Sequence, residues 1–324
     1  MKFLARWMDG EQAWPGGCWP NEAQRLLLQA CLLEDDAAAT SAWRKWEELV
    51  PWDFIDFGSH RLLLLLHDRL RRLGLTSKDQ GRLAGVARYY WVQTELRQRQ
   101  AMGILQLFEK AQIPTLLLKG AALNATVYRT GFRAMNDLDV AVRREDAPRA
   151  VQLLNEAGTA PPRNVSEESF RHGHGTNFNL ADGTEVDLHW DFFHSRSLSA
   201  AQQQSLWDAS LPVKIGPASS RVLCPADQLL HTCEHGVRYN ETPPFRWLAD
   251  AFQITRAAGT EMDWQRIASQ ATEYNAVLQV RRSLQWLNEH LDLPIPDEAL
   301  ANLDDQEVSL ANRMEYRVTG QRGL

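Results

Sequence analysis

The chain has 324 residues, of which 44% are hydrophobic and 23% charged, values that are typical of a globular protein of two or three compact units. Its net charge of −6 disfavours a general nucleic-acid-binding surface, although a local basic patch remains compatible with that charge. The longest apolar run, Leu62 to Leu66, is too short to span a bilayer, and the segment MKFLARWMDG lacks the apolar core of a signal peptide. The four cysteines do not have the spacing of a disulfide framework, so we expect them to be reduced. We therefore predict a cytoplasmic protein without a membrane partner.

The first 112 residues are predicted to be helical. They begin with an irregular arm over residues 1–20 that is rich in Trp, Gly and Pro. Asn21 then suits the cap of a first helix, and apolar residues recur at helical spacing further on. The predicted helices cover residues 21–34, 41–50, 59–74 and 78 to about 110.

Residues 113–142 hold the first candidate site. A short apolar run from Thr115 to Leu118 indicates a buried strand, and a small-residue segment that suits a helix follows Lys119 and Gly120. The free N–H groups at the start of that helix would attract an anion. Lys119 adds a point charge that suits a phosphate.

The next predicted strand, in MNDLDVAV, carries paired carboxylates. Its alternation puts Asp137 and Asp139 on one face, and Leu138, Val140 and Val142 on the other. Two carboxylates on one face repel each other unless a cation lies between them. Their hard oxygen atoms suit Mg²⁺ that arrives with a nucleoside triphosphate.

A helix over residues 145–157 leads to a predicted hairpin, TNFNLA and TEVDLHW, around Asp182 and Gly183. A two-residue loop would pair polar with apolar side chains. A three-residue loop with Gly183 in the left-handed region keeps each face consistent and sets Asn177 opposite Asp187, so we predict that register. The polar face of the hairpin then carries Asn177, Asn179, Glu185, Asp187 and His189.

These segments resemble a known family. The KG turn, the small-residue helix, GFRAMNDLDVAV and the acidic-x-His-Trp strand are similar to minimal nucleotidyltransferases of the DNA polymerase β-type superfamily, above all to the bacterial group known as uncharacterised nucleotidyltransferases. Many superfamily members have Gly-Ser or Gly-Gly at the turn where this chain has Lys119-Gly120. A later segment, CPADQLLHTCEHGVRY to FRWLADAFQI, is also similar, so the resemblance covers roughly residues 95–256.

The resemblance implies an α+β fold in which a small mixed nucleotidyltransferase sheet is flanked by N-terminal and C-terminal helical regions. The expected division is a helical region over 1–112, a nucleotidyltransferase core over 113–216 and a helical domain over 217–324. The implied activity is Mg²⁺-dependent transfer of a nucleoside monophosphate from an NTP such as ATP. The acceptor stays open among a small-molecule hydroxyl, a sugar, a tRNA end and a protein side chain, and the net acidity argues mildly against nucleic acid.

The site residues follow from the same matches. Asp187 matches the third carboxylate by position, with Glu185 as the alternative. Two Mg²⁺ ions are expected on a set of three carboxylates, which also carry the chemistry: Asp137, Asp139 and Asp187. Nucleotide-binding groups are expected at Lys119, Gly120, Arg133, Asn177 and His189.

Other interpretations remain open. His231, Glu234 and His235 match H-x-x-E-H, an inverted zinc-peptidase motif, although a helix packed in the core explains them more simply. A non-catalytic binding subunit of the same fold is a further alternative. The loop with His172 and His174 either folds over the site or is a plain connection.

Overall fold

The computed structural model of the protein describes residues 17–129, 131–159, 164–193, 196–238, 240 and 244–319. Most of the predicted N-terminal arm therefore lies outside the described residues. The architecture is α+β, with one mixed six-stranded sheet and helices before and after it, which confirms the predicted fold class. Within the described ranges, no helix is both long enough and apolar enough to cross a membrane.

Fifteen α-helices are present in the described part of the chain, and short 3₁₀ turns at Trp52–Phe54, Arg144–Asp146 and Gly259–Glu261 join some of them. The first helix begins after Asn21, which forms a capping box with Gln24, as its N-cap assignment predicted. In chain order the helices are α1 Glu22–Leu32, α2 Asp36–Leu49, α3 Phe57–His60, α4 Leu63–Arg72, α5 Gln80–Lys110, α6 Lys119–Thr126, α7 Ala147–Glu156, α8 Glu167–His172, α9 Ala200–Ala209, α10 Pro225–Gly236, α11 Arg246–Ala258, α12 Trp264–Glu273, α13 Val277–Leu291, α14 Asp297–Asp305 and α15 Leu310–Thr319.

The sheet has the order β3-β4-β2-β1-β6-β5. β1 is antiparallel to β2 and parallel to β6, β2 is parallel to β4, and the pairs β3–β4 and β5–β6 are antiparallel hairpins. The strands are β1 Thr115–Leu117, β2 Leu138–Val142, β3 Gly175–Asn179, β4 Glu185–His189, β5 Leu211–Ile215 and β6 Ala218–Val222.

The register of the β3–β4 hairpin agrees with the sequence prediction. Asn177 lies opposite Asp187 and Phe178 lies opposite Val186. Gly183 has φ +81°, the left-handed conformation that the three-residue loop requires. The hairpin continues the sheet through β2, so the polar face of β4 lies beside the aspartate of β2.

One predicted element was wrong in detail, and other elements were not predicted. The Leu-rich helix over 59–74 is divided, because the Leu62 N–H bonds to the Ser59 carbonyl at 2.9 Å, a tight turn that ends α3 before α4 begins. The β5–β6 hairpin and α9 were not predicted at all. Pro212 conceals the β5 signal, yet a proline is tolerated there because β5 is at the edge of the sheet.

Two hydrophobic clusters hold the molecule together. One lies between the sheet, α5 and α7 and includes Phe108, Val140 and Phe178. The larger one joins the N-terminal helices to the C-terminal helices, and the Gln29 side chain donates to the His290 carbonyl at 2.9 Å across it. The division into three domains stays a prediction.

Candidate active site

Two carboxylates face each other where β2 and β4 run side by side. Asp139 of β2 is paired with Asp187 of β4 in the parallel ladder, so both side chains leave the same face of the sheet. Neighbouring strands are about 4.8 Å apart, which is close enough for two carboxylates to share one cation. The convergence that was predicted for these two aspartates is therefore present.

Asp139 is the most enclosed member of the site, with 2% of its surface exposed. Its Oδ1 accepts hydrogen bonds from Lys119 Nζ at 2.5 Å and from His189 Nε2 at 3.1 Å. Burial alone would raise the pKa of Asp139, but the bond from His189 and the charge of Lys119 outweigh it and hold the pKa well below its usual range. Asp139 is therefore ionised at any pH near neutrality.

Three side chains offer ligand atoms in one place. One ligand atom each from Asp139, Asp187 and His189 lie within 4.8 Å of one another, the one such group of three or more in the described ranges. Two carboxylates and an imidazole fit a divalent cation by their chemistry, and the imidazole widens the choice beyond Mg²⁺ to ions such as Mn²⁺. His189, predicted to bind nucleotide, thus takes the place in this group that the sequence had given to Asp137.

Asp137 lies just before β2 and is half-buried. Burial and the charge of Asp139 raise its pKa, while Lys119, Arg133 and Arg246 oppose that rise. The pKa of Asp187 is raised as well, first by burial and then by the two other aspartates. The expected repulsion among the three carboxylates is therefore visible in two of them.

The Lys119-Gly120 turn brings a helix start to the same place. Lys119 has φ +44°, a conformation that costs free energy for a residue with a side chain and that is common at functional sites. A Cβ on Gly120 would lie 2.5 Å from Arg133 Nη1 and 2.9 Å from Met135 Cγ, so only glycine fits. The side chain of Asn124 in α6 forms two hydrogen bonds with the backbone of Arg133: it donates to the Arg133 carbonyl and accepts from the Arg133 N–H.

Arg133 is held from the far side by the C-terminal helices. Asp250 of α11 accepts from its Nε and from its Nη2, the latter at 2.8 Å, and Tyr128 donates to the same carboxylate at 3.0 Å. The sequence reading missed Asp250, which is 2% exposed. The sequence did contain a signal for it, since Asp250 is the one acidic residue among the apolar residues of FRWLADAF. A carboxylate that is buried needs a charged or hydrogen-bonding partner, so such a residue predicts an ion pair.

Two histidines outside the predicted set interact with residues of the site, one through a ring contact and one through charge. The His174 ring lies 6.1 Å from the His189 ring, and the His174 carbonyl accepts from the backbone N–H of Trp190, so this loop is bonded to the end of β4. His235 is half-buried, and burial, then the charge of Lys119, lower its pKa. Glu185 is exposed, as is Asn177 opposite Asp187.

The H-x-x-E-H segment forms part of α10, and its groups have other partners. His231 Nε2 donates to the Phe192 carbonyl at 3.1 Å. Glu234 is 3% exposed and forms ion pairs with Arg196 and Arg238. Burial lowers the pKa of His231 to about 3. This geometry supports the packed-helix interpretation.

A comparison with protein families agrees with this geometry. A comparison with curated proteins gives no significant match. The family described as uncharacterised nucleotidyltransferase matches residues 52–292, a range that contains the acidic group, the turn and Asp250. The chain therefore belongs to that family and is a nucleotidyltransferase.

Proposed function

We propose that the protein transfers a nucleoside monophosphate from an NTP to an acceptor hydroxyl with the help of divalent cations. One observation carries the proposal: Asp139 and Asp187 are paired in register on parallel strands, beside the helix start at Lys119-Gly120. A cation site next to an anion site is what a metal-bound triphosphate requires. The superfamily of DNA polymerase β type is the wider group that we infer for this chain.

Asp139, Asp187 and His189 would hold one cation. The proposal gives Asp137 a part in a second cation site, because the charge of Asp139 raises its pKa and a cation would relieve that repulsion. A bound cation neutralises phosphate charge that develops during the displacement. Lys119 Nζ already contacts Asp139 and can divide its charge between that carboxylate and a phosphate oxygen. Mg²⁺ is the expected ion, and the imidazole makes Mn²⁺ an equally suitable one.

In the reaction the acceptor oxygen forms a bond to the α-phosphorus, and the bond between that phosphorus and the α–β bridging oxygen breaks. The electron pair of that bond leaves with pyrophosphate. The proton of the acceptor hydroxyl goes to Asp187, which is the more exposed of the two paired carboxylates and is therefore the one that the acceptor can reach. Arg133 and the N–H groups of α6 balance the negative charge of the phosphates.

The acceptor class stays as broad as the sequence left it: a small-molecule hydroxyl, a sugar, a tRNA end or a protein side chain. Water can replace the unknown acceptor in an assay, so the reaction can be tested before the acceptor is identified. Slow hydrolysis by a nucleotidyltransferase gives NMP and pyrophosphate, whereas attack at the γ-phosphorus gives NDP and phosphate.

The test therefore follows the products from each of the four common NTPs, labelled at the α-phosphorus, with Mg²⁺ or Mn²⁺ and with water or added polyols and sugars. We expect labelled NMP or an NMP–acceptor adduct, and pyrophosphate in equal amount. Asp139→Asn should lower the rate by about 10²-fold or more. The exposed Glu185→Gln on the same sheet face is the matched control and should keep its rate. NDP and phosphate as products, or full activity in Asp139→Asn, would overturn the proposal.

A further inference from the structure

The long helix α5 has an outer face that is exposed along most of the helix. Exposed residues recur there every three or four positions, so they lie close to one line on the helix surface. Tyr89 and Glu95 flank this line on opposite sides, because successive residues turn by about 100° around the helix axis. The outer face of α5 consists of Gly81, Gly85, Arg88, Val92, Leu96, Arg99 and Gly103.

Three large apolar side chains on or beside the outer face are in contact with solvent. Tyr89 is 60% exposed, Leu96 50% and Val92 37%. They are three and four positions apart, so they form one continuous patch on the helix. The solvent side of a surface helix normally carries polar residues, and a continuous apolar patch marks a surface that another molecule covers.

Three glycines occupy the same face without a packing reason in the described structure. A Cβ at Gly81, Gly85 or Gly103 would meet no atom within 4 Å, so alanine would fit at all three positions. Glycine makes a helix less stable than alanine does, because it loses more backbone freedom on folding. Small residues on a helix surface let a second helix approach closely. The glycines and the apolar patch therefore both indicate a helical neighbour from outside the chain.

We infer that α5 is the interface of a homodimer, in which the two copies of the helix pack antiparallel around a two-fold axis at Val92. Such an axis brings each residue against the partner residue that is equally far from Val92 in the opposite direction along the helix. It also brings the same side of both helices together. Val92 itself meets the partner's Val92.

The outer face is complementary to itself in this arrangement. Tyr89 and Leu96 are on one side of the line through Val92, and Arg88 and Glu95 are on the other. Tyr89 therefore packs against the partner's Leu96, apolar against apolar. On the other side, Arg88 lies opposite the partner's Glu95, and the two-fold axis repeats this ion pair.

The glycines make room for the longest side chain of the face. Arg99 is seven positions after Val92, and Gly85 is seven positions before it, so Arg99 lies over the partner's Gly85. Gly81 and Gly103 are each eleven positions from Val92 and come together at the two ends of the contact. An unrelated partner would not require a face that is its own complement, which is why the occupant is a second copy of this chain.

The dimer leaves the candidate active site open. Phe108 of α5 packs with Val140 and Phe178 on one face of the sheet, whereas Asp139 and Asp187 leave the opposite face. The interface is thus independent of the proposed function. From Gly81 to Gly103 the contact spans about 33 Å of a single helix, so we expect a small interface that dissociates on dilution.

The first test measures the mass of the full chain by sedimentation over a range of protein concentrations. The unchanged protein should pass from one chain to two as the concentration rises. Val92→Glu puts two like charges against each other at the axis and should raise the dimer dissociation constant about tenfold or more. Val318→Glu on α15 is the matched control, because Val318 is 38% exposed against 37% for Val92, and it should dimerise as the unchanged protein does. Thermal unfolding checks that both variants are folded.

Charge reversal tests the antiparallel pairing. Arg88→Glu alone sets a carboxylate opposite the partner's Glu95 and should weaken the dimer. Adding Glu95→Arg exchanges the two charges and should restore it.

A single cysteine tests the position of the axis. Val92→Cys should form a disulfide-linked dimer on mild oxidation, because the axis brings this position against itself. Leu310→Cys, at another exposed position, is the control and should not. Of the four native cysteines, three are buried and Cys224 is half-buried.

The inference would be overturned by a mass of one chain at every concentration. It would equally be overturned by a dimer that Val92→Glu leaves unchanged or that Val318→Glu disrupts. Failure of the exchanged charges to restore the dimer, or cross-linking of Val92→Cys no faster than that of Leu310→Cys, would overturn the antiparallel arrangement around Val92.

Discussion

Replacing Asp187 by Asn should stabilise the metal-free protein at neutral pH. The folded state raises the pKa of Asp187 by burial and by the nearby Asp139 and Asp137, so its ionised form costs free energy in the fold. That cost is absent below the unfolded pKa of about 3.9 and grows as the pH rises through the folded value. The advantage of Asp187→Asn should therefore be missing at low pH and constant well above that window.

The size of the effect follows from the separation of the carboxylates. Ligand atoms of Asp139 and Asp187 are at most 4.8 Å apart, which gives a repulsion of roughly 3 kcal/mol at an effective dielectric constant of about 20. Lys119 and His189 offset part of it, and solvent around the partly exposed Asp187 screens more. We expect a net gain of about 1 kcal/mol in the free energy of unfolding.

The assay is urea unfolding in EDTA at neutral pH and again near the unfolded pKa, with Glu185→Gln as control. That control should change the free energy of unfolding by less than about 0.5 kcal/mol, because Glu185 is exposed. Added Mn²⁺ should reverse the order, since an ion at 100 times its dissociation constant stabilises the unchanged protein by about 2.7 kcal/mol. The reasoning would be refuted if Asp187→Asn were less stable than the unchanged protein in EDTA. It would also be refuted if Mn²⁺ raised the free energy of unfolding of Asp187→Asn as much as that of the unchanged protein.

Three further substitutions test neighbouring contacts. Gly120→Ala places a Cβ 2.5 Å from Arg133 Nη1, so NTP affinity in calorimetry should fall about tenfold, and unchanged affinity would contradict the close approach. Lys119→Ala should weaken NTP binding by a similar factor, and an unaltered affinity would make the Lys119 side chain structural. His231→Ala loses its bond to the Phe192 carbonyl and should lower the free energy of unfolding by about 2 kcal/mol; stoichiometric zinc in elemental analysis that this variant lacks would favour the peptidase interpretation.

The hairpin shows how far local pattern can determine a site. Alternation of polar and apolar residues, together with one glycine that must adopt positive φ, sufficed to pair Asn177 with Asp187. The same alternation placed Asp139 on the shared face of β2. Period-two patterns are short-range, so a strand and its turn contain all the information that this prediction needed.

The contacts that escaped prediction are the distant ones. Nothing in the local sequence relates Asp250 to Arg133, which is 117 positions earlier. The β5–β6 hairpin escaped because its prolines and polar residues resemble a loop until the sheet edge is known. The sequence analysis assigned His189 to nucleotide binding and not to the metal group. Its hydrogen bond to Asp139 forms only when β2 and β4 lie side by side, which the local sequence of either strand does not reveal.

The packing of the N-terminal helices and α13 in one core has a consequence for folding during synthesis. The bonded pair Gln29 and His290 is separated by 261 positions along the chain. At about 5–20 residues per second, the apolar face of α1 waits roughly 13–50 s for its partner to leave the ribosome. During that time α1 can pack against α2 and α4, but the part of its surface that meets α13 has no partner. A chain released early would therefore expose apolar surface of α1, and such surface promotes aggregation.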